Sequence, residues 1–311
     1  MEKIKSEIRK SYLLDKYVII TPGRALRPRD LQEKSITKKT DFCPFCPENI
    51  DSANIIDKTS FTSPSKSSWD LLSIKNIFPA VQLDNNKAYG SQEVIIETPR
   101  HGEEMASLSE GEIEQILHLY ARRTTVLSKN KKINYILCFK NQGAKAGASI
   151  SHSHSQIFAA QITPPDLKAE IEAAKGYELK NKSCPYCDII KKEAVSARKI
   201  FSDKNIACFT PYASEYHYEA WIFPKRHVDN ITLLTAEEFK SLAKALKKIL
   251  LKLQGLDLAF NFFLHNLVSE KNQHLYLKIQ PRGSVWAGVE LGSGLIINSV
   301  SPEKAAVFYR S

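Results

Sequence analysis

The chain has 311 residues, 43% of them hydrophobic and 25% charged, which is the balance of a globular protein with room for one large domain or two. Its longest apolar runs, such as Ile249-Leu250-Leu251 between two lysines, fall far short of the roughly 20 residues that a membrane span needs. Lys plus Arg is 44 against 34 for Asp plus Glu, a net charge of +10 that suits a phosphorylated ligand, yet the lysines are scattered and no aromatic-basic motif points to nucleic acid.

The first residues, Met1-Glu2-Lys3-Ile4-Lys5, are charged, and no apolar signal-like stretch follows them, so a cytoplasmic location is expected. A strand is predicted over 17–21. Next come the knuckle Cys43-Pro44-Phe45-Cys46 and a polar, Ser/Lys-rich loop over 52–68. A strand-like run over 93–97 leads into Thr98-Pro99-Arg100-His101. Ser109, with Glu112 three residues later, reads as the cap of an amphipathic helix carrying Ile113, Ile116, Leu117 and Tyr120. Strands are predicted over 133–139 and 152–160, joined by the small-residue loop 141–151.

After a polar segment at 176–183 the pattern starts again. Cys184-Pro185-Tyr186-Cys187 is followed by a strand over 219–223, by Lys225-Arg226-His227 and by a helix capped by Thr235 with Glu238. That helix shows Phe239, Leu242, Leu246 and Leu250 on one side, and strands over 258–263 and 274–280 complete the second copy. The agreement in order and spacing predicts an α+β chain of two tandem domains, 1–178 and 179–311, each an antiparallel sheet crossed by a long helix.

Each copy offers two cysteines in C-x-x-C spacing and two distant histidines. Such S2N2 sets suit tetrahedral zinc. The sets are Cys43, Cys46, His101 and His152, and Cys184, Cys187, His227 and His274. A redox dithiol would need a thioredoxin-like βαβ setting, which neither knuckle has. Four protein ligands close a site, so both metals are expected to be structural. Cys138 and Cys208 fall in apolar strands and read as buried, inert thiols. His118, His217 and His265 read as surface or satisfied core histidines.

One segment has no full counterpart. His152-Ser153-His154-Ser155-Gln156 places His152, His154 and Gln156 at alternate positions of a strand, hence on one face. It follows a loop rich in backbone N–H donors, with Asn141, Gly147 and Ser149, suited to cradling phosphate. An imidazole can attack phosphorus and split one hard transfer into two easier ones. An amide such as Gln156 can donate to a phosphate oxygen as charge builds there. Aligning His152 with His274 puts Tyr276 opposite His154 and Lys278 opposite Gln156, so one active site per chain is expected, in the first half.

These residues resemble the galactose-1-phosphate uridylyltransferase family, a branch of the histidine triad superfamily. The resemblance runs along nearly the whole chain: Arg9, the stretch from Tyr17 to Pro28, Cys43 and Cys46, Lys75-Asn76, Glu97 to His101, Asn141 to Gln156, and Val285 to Gly294. It implies two histidine-triad-like domains and a ping-pong transfer. His154 would take a nucleoside monophosphate from a nucleotide sugar and pass it to a hexose 1-phosphate or to phosphate. It further implies that Arg24, Arg27, Asn141, Ser149, Gly147 and Gln156 meet phosphates and that Asn76 lies at the nucleoside. Glu290 would meet the sugar in the neighbouring subunit of a homodimer.

Ser153 between the histidines, Ala148, Ile77 and the second C-x-x-C resemble the branch holding the plant ADP-glucose phosphorylases. Base, sugar and acceptor stay open at this point. A non-catalytic nucleotide-binding module and a dinucleoside polyphosphate hydrolase are the competing classes. Glutamine rather than histidine at 156 speaks against the hydrolase.

Overall fold

A computed structural model describes residues 6–22, 42–60, 69–268 and 273–311. In chain order the strands and helices are β1 (Glu7–Lys10), β2 (Tyr17–Ile20), β3 (Ile55–Thr59), β4 (Leu71–Lys75), β5 (Gly90–Ile96), α1 (Glu110–Leu127), β6 (Tyr135–Gln142) and β7 (His154–Ala160). There follow α2 (Pro165–Asn181), α3 (Pro185–Glu193), β8 (Lys199–Ser202), β9 (Ile206–Phe209), β10 (Ala220–Pro224), α4 (Ala236–Gly255), β11 (Phe260–Leu267), β12 (Leu277–Pro281), α5 (Gly288–Ser293), β13 (Ile296–Asn298) and α6 (Pro302–Arg310). The chain is α+β, as its residue pattern predicts.

The two copies of the repeat do not make separate sheets. They join edge to edge through β6 and β11 into one ten-stranded sheet of order β3-β4-β5-β7-β6-β11-β12-β10-β9-β8. The order is a palindrome, and its centre is the cross-strand pair Phe139 and Phe263. Joining the innermost strands leaves neither of them as an exposed edge. A small second sheet, β1-β2-β13, ties the N-terminal segment to the C-terminal one.

Both long helices begin as the sequence predicts. The Glu112 N–H donates to Ser109 Oγ (3.1 Å) and the Ser109 N–H to Glu112 Oε2 (2.7 Å); Thr235 and Glu238 repeat this at 3.3 and 2.9 Å. Each cap satisfies two helix donors and contributes about 1 kcal/mol. In each copy the arginine before the metal-set histidine reaches the same glutamate: Arg100 to Glu112 at 2.6 Å, Arg226 to Glu238 at 2.7 Å. Helices α1 and α4 lie together on one face of the sheet. Ile113, Ile116, Leu117 and Tyr120 meet Phe239, Leu242, Leu246 and Leu250 over the strand residues Ile95, Ile136, Ile157, Ile222, Phe262 and Leu277.

Alternation along the strands decides what the other face carries. In β7, Ser155, Ile157 and Ala159 point to the helix layer, so His154, Gln156 and Phe158 point away from it. Helix α2 packs on this second face through Leu167 and Ile171 against Tyr135, Leu137 and Phe158.

Three expectations differ locally. The loop expected over 52–68 holds strand β3 at Ile55–Thr59, whose Ile-Ile start favours extended chain. The polar segment 176–183 is the end of α2 and its cap, Lys182 being left-handed (φ 56°); charged residues on a helix's wet side look like a linker in sequence. Strands β7 and β12 begin two and three residues later than expected, so His152 and His274 precede them.

Candidate active site

The two Cys/His sets come together as four-atom clusters whose ligand atoms lie within 4.8 Å of one another. In the first, Cys43 Sγ and Cys46 Sγ stand 3.6 and 3.8 Å from His152 Nδ1, and Cys46 Sγ stands 3.4 Å from His101 Nδ1. In the second, Cys187 Sγ stands 3.5 Å from His227 Nδ1 and 3.6 Å from His274 Nδ1. Sulfur and nitrogen on a common tetrahedral zinc would be about 3.6 Å apart, given Zn–S near 2.3 Å and Zn–N near 2.0–2.1 Å. The donor sets therefore fit a metal ion.

The ring orientations agree with that fit. His152 Nε2 is 2.8 Å from the Thr98 carbonyl, and His274 Nε2 is 2.8 Å from the Pro224 carbonyl. Each carbonyl takes the Nε2 proton and leaves Nδ1 as the ligand atom, the usual support of a metal-bound histidine. Burial and the neighbouring thiol push Cys46 and Cys187 up to about 11, so paired thiols at these places need a cation to ionise.

His154 sits immediately beyond the first cluster. The ring of Phe45, from the middle of the knuckle, lies between the two histidines, with centroids 5.1 Å from His154 and 6.4 Å from His152. His154 Nδ1 lies 2.8 Å from the His152 carbonyl. That acceptor fixes the Nδ1–H tautomer and leaves Nε2 with its lone pair free. Burial lowers the pKa of His154, and nearby Lys140 adds to this, so the neutral ring is favoured.

Beneath the histidine is a buried charge network that the sequence did not flag. Lys140 Nζ donates to Glu97 Oε2 (2.6 Å), to Ser153 Oγ (3.2 Å) and to the His154 carbonyl (2.9 Å). Ser153 Oγ also donates to Glu97 Oε2 at 2.5 Å. Lys140 and Glu97 are almost wholly enclosed, and such a pair keeps its charges only when hydrogen-bonded in this way. The alternation of β6 and the lysine in an otherwise apolar strand were the available signal. On the helix side, Tyr120 OH donates to Ser155 Oγ at 2.6 Å and pins the next residue of the same strand.

Gln156 is oriented by a residue that sequence reasoning missed. Gln92 Nε2 donates to Gln156 Oε1 at 2.8 Å, and Asn76 Nδ2 approaches the same oxygen at 3.5 Å. Gln92 is itself held by the Ala80 N–H (3.0 Å), and Asn76 Oδ1 accepts from the Phe78 N–H (2.9 Å). With its oxygen occupied, Gln156 presents its amide N–H2 as a donor.

The phosphate-type loop is shaped by Gly143 (φ 82°) and Gly147 (φ 87°), which only glycine adopts without strain. Asn141 Oδ1 accepts from Asn261 Nδ2 (2.8 Å), which also donates to the Ala146 carbonyl (2.8 Å), so β11 of the second half braces the loop of the first. Asn141 Nδ2 is thereby left as a donor beside Gly147. Ser149 is exposed on the same loop. Glu290 lies on α5, where its carboxylate accepts from the Ala287 N–H at 2.9 Å. Arg24 and Arg27 lie outside the described residues.

No helix among the described residues is long and apolar enough to cross a membrane. His118 lies against Phe239 with ring centroids 4.1 Å apart, and His265 meets Tyr135 OH at 2.7 Å.

Comparisons with known proteins bear on the family and the fold. The family model for the N-terminal domain of galactose-1-phosphate uridyl transferase matches residues 1–164. The ADP-glucose phosphorylase of Arabidopsis thaliana is 32% identical over 100% of this chain and 94% of its own length. The galactose-1-phosphate uridylyltransferase of Thermotoga maritima is 27% identical over 96% of each. The crystal structure of an Arabidopsis thaliana ADP-glucose phosphorylase with bound ADP-glucose superposes with a TM-score of 0.85, at 30% identity and 99% coverage of both chains. A uridylyltransferase structure gives a TM-score of 0.75 at 28% identity, covering 98% of this chain and 97% of that one. The chain belongs to the galactose-1-phosphate uridylyltransferase family and is a nucleotidyltransferase.

Proposed function

We propose that the enzyme moves a nucleoside monophosphate from a nucleotide sugar to a phosphate-bearing acceptor through a covalent nucleotidyl-His154. One observation supports the reading: His154 Nδ1 is committed to the His152 carbonyl, which leaves Nε2 with a free lone pair on the strand face that also carries Gln156. In the first step Nε2 attacks the α-phosphorus, a P–N bond forms, and the P–O bond to the leaving sugar phosphate breaks. Gln156 N–H2 and Asn141 Nδ2 donate to the phosphate oxygens, with the loop N–H groups, Gly147 and the Ser149 hydroxyl completing the cradle. The imidazolium that forms holds its Nδ1 proton on the His152 carbonyl, which tightens as charge develops. In the second step an acceptor phosphate oxygen attacks the same phosphorus and releases the histidine.

Asn76 serves the nucleoside. Arg24 and Arg27 serve the phosphates, and Glu290 serves the sugar of a neighbouring subunit in a cytoplasmic homodimer. Zinc fits both Cys/His sets. When bound, it locks the knuckle and His152, so the carbonyl that orients His154 is held from both sides; two zinc ions per chain are expected by metal analysis. The catalytic histidine-triad-like domain takes residues 1–178 and the second one 179–311, with helix α2 running across the boundary.

A finer reading is favoured by a specific likeness. The full-length similarity to an ADP-glucose phosphorylase, with Ala148, Ser153 and Ile77, supports ADP-glucose as donor and inorganic phosphate as acceptor. The alternative is UDP-hexose with hexose 1-phosphate. Steady-state kinetics with ADP-glucose and UDP-glucose, each against phosphate and galactose 1-phosphate, decides between them. Parallel double-reciprocal lines with at least one pair are expected. Intersecting lines with every pair would contradict a covalent intermediate.

A further inference from the structure

The second half keeps a hollow where the first half keeps its active site. Cross-strand register places the two side by side. Val94 pairs with Gln156 in the first half, and Trp221 pairs with Lys278 in the second; two residues earlier, Gln92 therefore corresponds to Glu219. Phe45 corresponds to Tyr186, His154 to Tyr276 and Gln156 to Lys278. Over these residues lies a cavity of about 470 Å³, closed on one side by Tyr12 and Leu13 of the N-terminal segment and on another by Glu170 of α2. It is reached by no residue of the His154 network.

The lining has two features that belong together in a ligand site. The walls are rings: Tyr276 packs against Tyr186 at 5.7 Å and against Trp221 at 5.3 Å, and Trp286 stacks on Tyr216 at 5.2 Å. Between them stand polar groups with open valences. Lys278 makes no hydrogen bond and no close ion pair among the described residues; its ammonium lies 5.1 Å from the Trp221 ring and 5.8 Å from that of Tyr276. The Trp286 indole N–H is buried without a partner among the described residues. Glu215 has no side-chain hydrogen bond among the described residues, and Glu170 takes only the Tyr186 and Tyr276 hydroxyls, at 3.2 and 3.1 Å. A buried indole N–H beside partly buried lysine and glutamate groups, around a half-open, ring-lined hollow, marks a place where a ligand completes the set.

Charge narrows the class. Glu170, Glu215 and Glu219 surround one lysine, so a phosphate would meet more negative charge than positive. Lys278 already holds the cation's place over the rings, so the aromatic walls favour a neutral guest over a second ammonium. What remains is a neutral ring with several hydroxyls: C–H faces against the aromatic walls, hydroxyl oxygens accepting from Lys278 and Trp286, hydroxyl protons donated to Glu170 and Glu215. We propose that this cavity is a second, non-catalytic site for a neutral pyranose sugar or short saccharide. The site does not use His154 and goes beyond the transfer reaction.

The test is calorimetric titration of the full-length protein with glucose, galactose and maltose, beside inorganic phosphate and putrescine as anionic and cationic probes. One of the sugars should bind, at least tenfold more weakly in Lys278→Met and Trp221→Leu and several-fold more weakly in the milder Glu215→Gln. Glu290→Gln, at the residue assigned to the sugar of the transfer site, should bind it unchanged. Circular dichroism on each variant confirms that it is folded. No heat from any sugar at tens of millimolar overturns the proposal. So does sugar binding that Glu290→Gln abolishes and Lys278→Met keeps, or a preference for phosphate or putrescine over every sugar.

Discussion

The two halves of the sheet share strand order, register, helix caps and a Cys/His cluster, and they differ in a handful of side chains on one face. In the first half a histidine stands over an amide pair, Gln92 and Gln156. In the second a tyrosine stands over Glu219 and Lys278, whose charges replace the amides. The segment before the strand differs in sequence too: Gly143 and Gly147 of the first half have no glycine counterpart between Val268 and His274, and the first loop is braced by Asn261 from the other half. The frame is therefore indifferent to chemistry. What the reaction needs is a free imidazole nitrogen, an amide donor and a phosphate-sized loop, and each depends on local hydrogen bonds rather than on the sheet.

Substitutions sharpen that contrast, from the largest effect down. Lys140→Met strips the partner from an enclosed Glu97 and removes the donor to Ser153 and to the His154 carbonyl. A loss of about 3–5 kcal/mol in folding stability is expected, read by chemical denaturation. The double variant Lys140→Met with Glu97→Leu should recover most of it, since no charge is then left unpaired. If the single variant is as stable as wild type, the network is not what holds the histidine strand.

Gln156→Ala should lower kcat by about 10²–10³-fold with little change in KM, because its donor acts where charge builds in the transition state. Gln92→Leu, which frees Gln156 without removing it, should cost less, again in kcat. Equal losses in KM alone would place Gln156 in ground-state binding instead.

The smallest effect separates the second half by pH. Burial lowers the pKa of His265 to about 4, with Lys278 lowering and Glu170 raising it, and Tyr135 lies against the ring. Above about 6.5 the folded and unfolded forms are both neutral there. As pH falls from 6.5 towards 4 the unfolded form takes up the proton first, so stability falls across that window, by at most about 3 kcal/mol. Thermal midpoints of His265→Gln should fall less steeply than those of wild type between pH 6.5 and 4. Parallel slopes would refute the assignment.

Much of this was legible in the chain. The repeat announced both Cys/His sets, which the fold gathers within 4.8 Å, and the S/T-x-x-E caps located both long helices. The shared face of His154 and Gln156 was visible from alternation, although His152 precedes the strand. Other features were not. A charged helix end looked like a linker at 176–183. The fusion of two sheets through β6 and β11 depends on edge pairing, which no local pattern encodes. Lys140, Gln92 and Asn261 act across strands, so their partners are 13 to 120 residues away and leave no spacing to read.

The central claim is that His154 Nε2 carries the nucleotidyl group. The direct measurement is intact-mass and peptide mass spectrometry of the enzyme after incubation with ADP-glucose or UDP-glucose in the absence of acceptor, quenched at alkaline pH to preserve the P–N bond. The account predicts one added nucleoside monophosphate per chain, mapped to the peptide containing His154, absent in His154→Ala and discharged by phosphate or a hexose 1-phosphate. An enzyme that turns over yet shows no adduct with either donor, or an adduct on any other residue, would contradict it.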